Sequence, residues 1–416
     1  MSIYKANQQI GSSKLIFLTW LVYATSYLGK VNYSANITQI VDFYNVTKAE
    51  AGLVPSFFFF AYAIGQVVNG IFCKRYNIKR MVWISLTLSG LINLAVALST
   101  NFVIIKWLWM VNGFLLSVLW PTLIRLLSET LPSEHLGRSS VVMGTTVATG
   151  TLIIYALSSV YVAFDNFKLA FYTAAVALLA VSVVWLLLFD RAVGCVAKSA
   201  AEQGVPVKET VPRKADTRKR GAMATACMLC FCAVGTNFIK DGLTTWIPSI
   251  LKEEGSMPDS LSILLALFFP IVAIPGNAFA LWVHKKIPSY ARHSLVLFAC
   301  MAVLIVAVIG ILPFKIVSAM LLGLVIVNLF ASSMNSLVTG IFPMFMRQHL
   351  NSGKIAGILD GFCYLGSAVS AYGLGALADS FGWNAIFGCM LGTCVVLALT
   401  CGVYAILLRN SEGGKE

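Results

Sequence analysis

Apolar runs long enough to cross a bilayer recur along this chain, and the polar residues that interrupt them are few and regularly placed. A hydrocarbon core of about 30 Å needs about 20 helical residues. Runs of that length begin near Leu15, Ala51, Met81, Val103, Ser140 and Leu169, and again near Met223, Ser260, Ser294, Ile316, Ile355 and Ala385. The pattern predicts an all-α membrane protein with twelve transmembrane helices, its helix ends least sharp between Phe314 and Phe342 and between Ala222 and Ile250. The polar start from Met1 to Ser13 leads straight into a full-length span without an A-x-A site, so the first helix is expected to be retained.

Between the two sets of six lies Asp190 to Gly221, with eight basic residues, four acidic ones and almost no aromatics. It cannot bury a core and reads as a linker. The expected organisation is a six-helix bundle over 1–189, a cytoplasmic linker over 190–221 and a second bundle over 222–416. The halves share a spacing: Lys30 precedes Gly65 by 35 residues, Lys240 precedes Gly276 by 36, and each glycine is followed nine residues later by a basic pair, Lys74-Arg75 or Lys285-Lys286. Duplicated halves around a midplane site are a common transporter architecture.

Lys30 and Lys240 stand in the middle of apolar spans. An ionised side chain there costs about 3 kcal/mol on insertion scales, so two of them call for a polar cavity and a negatively charged ligand. Other polar positions repeat at helical spacing: Tyr23, Tyr27 and Lys30 on the first helix and Tyr62, Gln66 and Asn69 on the second. Asn328, Ser332, Asn335 and Thr339 do so on the tenth, and Asp360, Tyr364 and Ser367 on the eleventh. Each stripe alone is explained by helix-to-helix hydrogen bonds. Together with lysines on the first and seventh helices they point to a shared polar site. The third, sixth, ninth and twelfth helices carry no charge in their interiors, as lipid-facing supports would not.

Composition fits this setting, with 58% hydrophobic and 11% charged residues. Of the 30 Lys and Arg residues, 23 fall in loops or ends on one side, and only Lys48, Lys106, Lys168, Lys252 and Lys315 fall on the other. The positive-inside rule then places both termini and the linker in the cytoplasm of a multi-pass plasma (cytoplasmic) membrane protein. The net charge of +13 is therefore mostly topology, and its scatter over short loops argues against nucleic acid as a partner.

The order and spacing of several short motifs resemble the major facilitator superfamily, and within it the organophosphate:phosphate antiporters such as the glycerol-3-phosphate and hexose-phosphate transporters. The motifs are Tyr23-x-x-x-Tyr27-Leu28-x-Lys30-x-Asn32, Ala61-Tyr62 with Gly70-x-x-x-Lys74-Arg75, and Trp120-Pro121-x-x-x-Arg125. In the second half they are Lys240-x-Gly242-x-x-x-Trp246-x-Pro248, Tyr364-Leu365-Gly366-Ser367 and Asp379-x-x-Gly382-Trp383. The resemblance implies a phosphate clamp made by one cation from each half. The matching positions here are Lys30 and Lys240, with Tyr23, Tyr27, Tyr62 and Tyr364 nearby. It also implies a cytoplasmic gate at Gly70, Lys74, Arg75 and Arg125.

Three departures stand out. Both clamp arginines of that family are lysines here, which keeps the charge and loses the bidentate fork. The stretch Gly144 to Gly150 lacks the family's fifth-helix histidine, and Lys74 replaces the usual acid of the gate. The expected function is secondary active transport of a small organic anion, an organophosphate or sugar phosphate, by alternating access and in exchange for phosphate. A proton-coupled carrier of a carboxylate or sugar acid, or a transporter-like membrane sensor, are the alternatives. Gln66, Asn335 and Asp360 are expected to complete the substrate site. Asp360 is also a candidate for coupling, and Asp241 for coupling or for neutralising a buried lysine.

Other features suggest little further chemistry. Cys227, Cys230 and Cys232 form a run inside a span, where accessible thiolates are not expected, so no metal or cofactor is assigned. His135, His284, His293 and His349 fall at helix ends, where surface positions are expected. Asn32 and Asn36 match glycosylation acceptors but lie in or against a helix. No P-loop, nucleophile elbow or metal-ligand cluster appears, so an enzyme is not expected, and a monomer in the lipid bilayer is.

Overall fold

The computed structural model describes residues 2–72, 77–201, 216–345 and 352–413. Its helices in the first half are α1 (Ser2–Ala35), α2 (Ile37–Tyr44), α3 (Lys48–Phe72), α4 (Ile78–Leu98), α5 (Phe102–Leu116), α6 (Leu119–Thr130), α7 (Ser133–Gly144), α8 (Thr146–Ala163) and α9 (Lys168–Ala201). The second half has α10 (Asp216–Glu253), α11 (Asp259–Leu265), α12 (Phe268–Lys286), α13 (Tyr290–Ile311), α14 (Val317–Ser336), α15 (Phe342–Phe345) and α16 (Ser352–Gly413). Among the described residues there is no strand.

Among the described residues, ten stretches are long and apolar enough to span a membrane. The last of them, Ile355–Leu407, is 53 residues long. At 1.5 Å per residue a straight helix of that length would reach about 80 Å, far more than a bilayer. The chain divides it at Gly382, whose φ of 71° and ψ of −176° form a conformation open essentially only to glycine. α1 is not one of these ten, and tyrosines and Lys30 punctuate its apolar run. Two passes in α16 and one in α1 bring the count to the twelve expected. The ends of the expected linker, 190–201 and 216–221, are helical, and 202–215 lie outside the described residues.

Apolar residues exposed on α4 (Trp83, Leu88, Leu91), α9 (Val176, Val183, Leu187), α13 (Val303, Val306) and the second limb of α16 (Val395, Val396, Leu399) give those helices lipid-facing sides. Asn32 and Asn36 are fully buried. Asn32 donates to Asn93 Oδ1 at 2.8 Å and Asn36 to Ser158 Oγ at 2.9 Å, so both tie helices together. One expectation fails at His293, which is buried rather than at the surface, packed 5.7 Å from the ring of His284. The turn between α12 and α13 is short enough to fold His293 back onto α12.

The halves meet chiefly where α3 packs on the first limb of α16 and where α8 packs on α11 and α12. Gly52 lets the α3 backbone approach α16 so closely that a Cβ there would lie 2.2 Å from the Ala371 carbonyl oxygen. Beside that contact the Ser56 hydroxyl donates to the Ala368 carbonyl at 2.5 Å, and the Trp246 indole donates to that of Ala371 at 3.1 Å.

Candidate functional site

Lys30 lies where α1, α3 and α16 converge. Its helical spacing with Tyr23 and Tyr27 places all three on the inward face of α1, where they are buried. The Lys30 ammonium donates to the Tyr364 hydroxyl at 3.0 Å, a bond from the first half of the chain to the second. Around it stand the rings of Tyr62, Tyr364 and Tyr27, with centroids 4.3, 4.7 and 4.8 Å from Nζ. Aromatic faces offset part of the desolvation of a cation, but they do not neutralise it. Among the described residues no carboxylate reaches Lys30 within ion-pair distance.

Lys240 is treated differently. Its ammonium lies 2.9 Å from Asp241 Oδ1, and the other oxygen of Asp241 accepts a hydrogen bond from Ser367 on α16. Successive helical residues point about 100° apart, yet the long lysine stem folds back far enough to meet its neighbour. Asp241 therefore neutralises Lys240 in this state, whereas Lys30 has no carboxylate partner among the described residues.

The remaining expected residues divide. Tyr62 and Tyr364 pack with ring centroids 4.3 Å apart, again across the halves. Tyr23 also rests on Trp120, at 4.8 Å. Asp360 lies in the same electrostatic environment as Lys30, Lys240 and Asp241. Asn335 Oδ1 accepts from the Cys363 thiol at 3.5 Å, which fixes α14 against α16 next to Tyr364. Directly after it, Leu337–Ile341 forms a π-helical turn, a feature that often accompanies functional positions.

Two stripe residues serve packing instead: Asn69 donates to Ser117 at 3.1 Å, and Asn328 donates to the Phe269 carbonyl at 2.9 Å. Of the gate residues, Arg125 pairs with Glu129 on its own helix at 2.9 Å. Gly70 ends near the last turn of α3, and Lys74 and Arg75 lie outside the described residues.

Sequence reasoning overlooked Asn237. It is buried one turn before Lys240, and on a helical wheel it falls between Lys240 and Asp241. Among the described residues its carboxamide oxygen has no hydrogen-bond partner, and neither has the Gln66 amide nitrogen. Asn237 stands three residues from Lys240, the spacing that marked the other stripes.

A twelve-pass helical membrane protein with a buried lysine from one half and a half-buried lysine from the other at its centre has the architecture of a transporter. The match of residues 19–353 to the Major Facilitator Superfamily model gives the family, and the chain belongs to that superfamily. It is similar to a probable hexose phosphate transport protein of Chlamydia trachomatis serovar D, 20% identical over 413 residues that cover 93% of this chain and 89% of the relative. It is as similar to the membrane sensor protein UhpC of Escherichia coli K12, 20% identical, with 95% of this chain and 90% of that one covered. The fold also matches a bacterial homolog of the human lysosomal transporter Spinster, solved in an inward-facing and occupied conformation. There the TM-score is 0.72 at 13% identity, covering 95% of this chain and 97% of that chain.

Proposed function

We propose that this chain is a secondary active transporter of a small organic anion, of the organophosphate and sugar phosphate class, working by alternating access in the cytoplasmic membrane with both termini inside. The observation that carries this reading is the Lys30 ammonium, buried among tyrosines and without a carboxylate partner among the described residues. A buried charge without a counterion is strongly unfavourable, so an anionic ligand gains more here than at a paired lysine. The hexose phosphate relative supports the solute class, and inorganic phosphate is the counter-substrate that the resemblance implies.

In this mechanism the anion replaces the Tyr364 hydroxyl on Lys30. Lys240, held in place by Asp241, approaches from the second half. Tyr23, Tyr27, Tyr62 and Gln66 supply donors and walls, and Asn335 and Asp360 face the organic part. The bundles 1–189 and 222–416 rock about the site as single units, with Gly70, Lys74, Arg75 and Arg125 at the cytoplasmic gate. Ligand drives closure only by binding the closed state better than the open ones.

Proteoliposomes with anion loaded inside and labelled anion outside test this directly. Counterflow is expected for the wild type and lost in Lys30→Ala. Binding without any flux would favour the second reading, a sensor, which the equal similarity to UhpC supports. Uptake driven by a proton gradient without internal phosphate would favour proton-coupled transport through Asp360.

A further inference from the structure

The charges at the centre of the molecule sum to zero. Lys30 and Lys240 contribute two positive charges, Asp241 and Asp360 two negative ones, and all four act on one another electrostatically. They are not equally engaged. Asp241 is in direct contact with Lys240 and with the Ser367 hydroxyl. Lys30 has a neutral hydroxyl and ring faces, so one ammonium is free to take an anionic group and one is already taken.

We propose that the transported form of the solute carries a single net negative charge, as a phosphodiester or a singly protonated phosphomonoester does, and is not the dianion of a phosphomonoester. This rests on the reading of Lys30 as the anion site. A monoanion satisfies Lys30 and leaves the Lys240–Asp241 pair intact. A dianion needs both ammoniums, which would strip Lys240 from Asp241. Two carboxylates, Asp241 and Asp360, would then remain beside the ligand with no cation to offset them. In a region of low dielectric such like-charge crowding is heavily unfavourable. A Ser367 hydroxyl supplies Asp241 with a hydrogen bond but no charge.

The test uses purified full-length chain and three probes at about pH 7.5, above the second phosphate pKa of about 6. They are a hexose 6-phosphate, which is then mostly dianionic, its methyl phosphodiester, and the matching hexuronate. Thermal-shift titration of the wild type is expected to give half-saturation by at least one monoanion about tenfold or more below that of the dianion. In Asp241→Asn/Asp360→Asn, which frees both ammoniums, the preference should move toward the dianion by a similar factor. Equal or tighter binding of the dianion by the wild type overturns the charge assignment while leaving an anion carrier in place. Absence of any stabilisation by all three removes the anion site itself, and the inference with it.

Discussion

Asp379 on α16 caps a helix in the other half of the molecule: its carboxylate accepts from the backbone N–H groups of Lys48 at 3.2 Å and Ala49 at 2.7 Å, at the N-terminus of α3. Helix N-termini present unmet donors and a positive dipole end, so a carboxylate there is favourable. The Lys48 side chain strengthens the same contact by pairing with Glu253 at 2.8 Å, and the Trp383 indole donates to Glu253 at 3.0 Å. Nearby, Lys252 bridges Asp42 at 2.7 Å and Asp259 at 3.1 Å. Most of these groups are partly exposed, so each ion pair contributes modestly and the latch as a whole can open.

Asp379→Asn keeps the shape and removes the charge that holds two backbone donors. At an exposed site the loss should be about 1 kcal/mol, or about fivefold in the balance between closed and open forms of this end. Spin labels at Val46 and Ser256 would report it as a larger population at long separation. An unchanged distance distribution would mean that Asp379 is incidental to closure.

Gly52→Val should have the greater effect. Its Cβ would fall on the Ala371 carbonyl oxygen, a backbone atom that cannot move aside, and within 3.0 Å of the Trp246 ring. The closed end could not form, and counterflow should fall to background although the chain still inserts. Gly144→Ala, which meets nothing within 4 Å, is the control expected to transport normally.

The helices were legible in the sequence because in lipid every backbone group must be satisfied within its own helix, so each span shows as one apolar run. Lys30, Tyr62 and Tyr364 were legible as polar residues at helical spacing, where lipid contact is excluded. The pairing of Lys240 with Asp241 was legible only as one of two readings of Asp241, because adjacent helical residues point about 100° apart and the contact depends on a lysine stem bending back along its helix. The capping of α3 by Asp379 was not legible, since it joins residues more than 300 positions apart through main-chain donors that carry no sequence signal. Asn69 and Asn328 looked like site residues because helix-packing amides and ligand-binding amides follow the same period.

The two lysines should respond in opposite directions when removed from the ligand-free protein. Lys30→Ala takes away an unpaired buried cation and should leave the melting temperature unchanged or raise it. Lys240→Ala leaves Asp241 as a carboxylate with only Ser367 for company, and should destabilise by about 1–2 kcal/mol, below the range for fully buried pairs because both side chains keep some exposure. Lys240→Ala/Asp241→Ala should recover most of that loss. A recovery in the double variant is the signature of pairing; equal losses in both single variants would mean that packing of the lysine stems dominates.

Asn237 and Gln66 carry the last prediction. Buried polar atoms are nearly always hydrogen-bonded, and each orphan calls for a missing partner. The Asn237 carboxamide oxygen is an acceptor and the Gln66 amide nitrogen a donor, one from each half of the chain. A solute hydroxyl can donate to the first and a second oxygen can accept from the second, so the pair favours a hydroxylated anion over a plain aliphatic one. Removing an unmet group should not harm the empty protein, whereas it should remove a contact from the occupied one. Asn237→Ala is therefore expected to keep its ligand-free melting temperature while weakening a hydroxylated ligand about tenfold, a loss near 1.4 kcal/mol, and leaving its deoxy analogue unaffected. Titration of both ligands against wild type and variant checks it. A fall in stability with no change in selectivity would make Asn237 a packing residue.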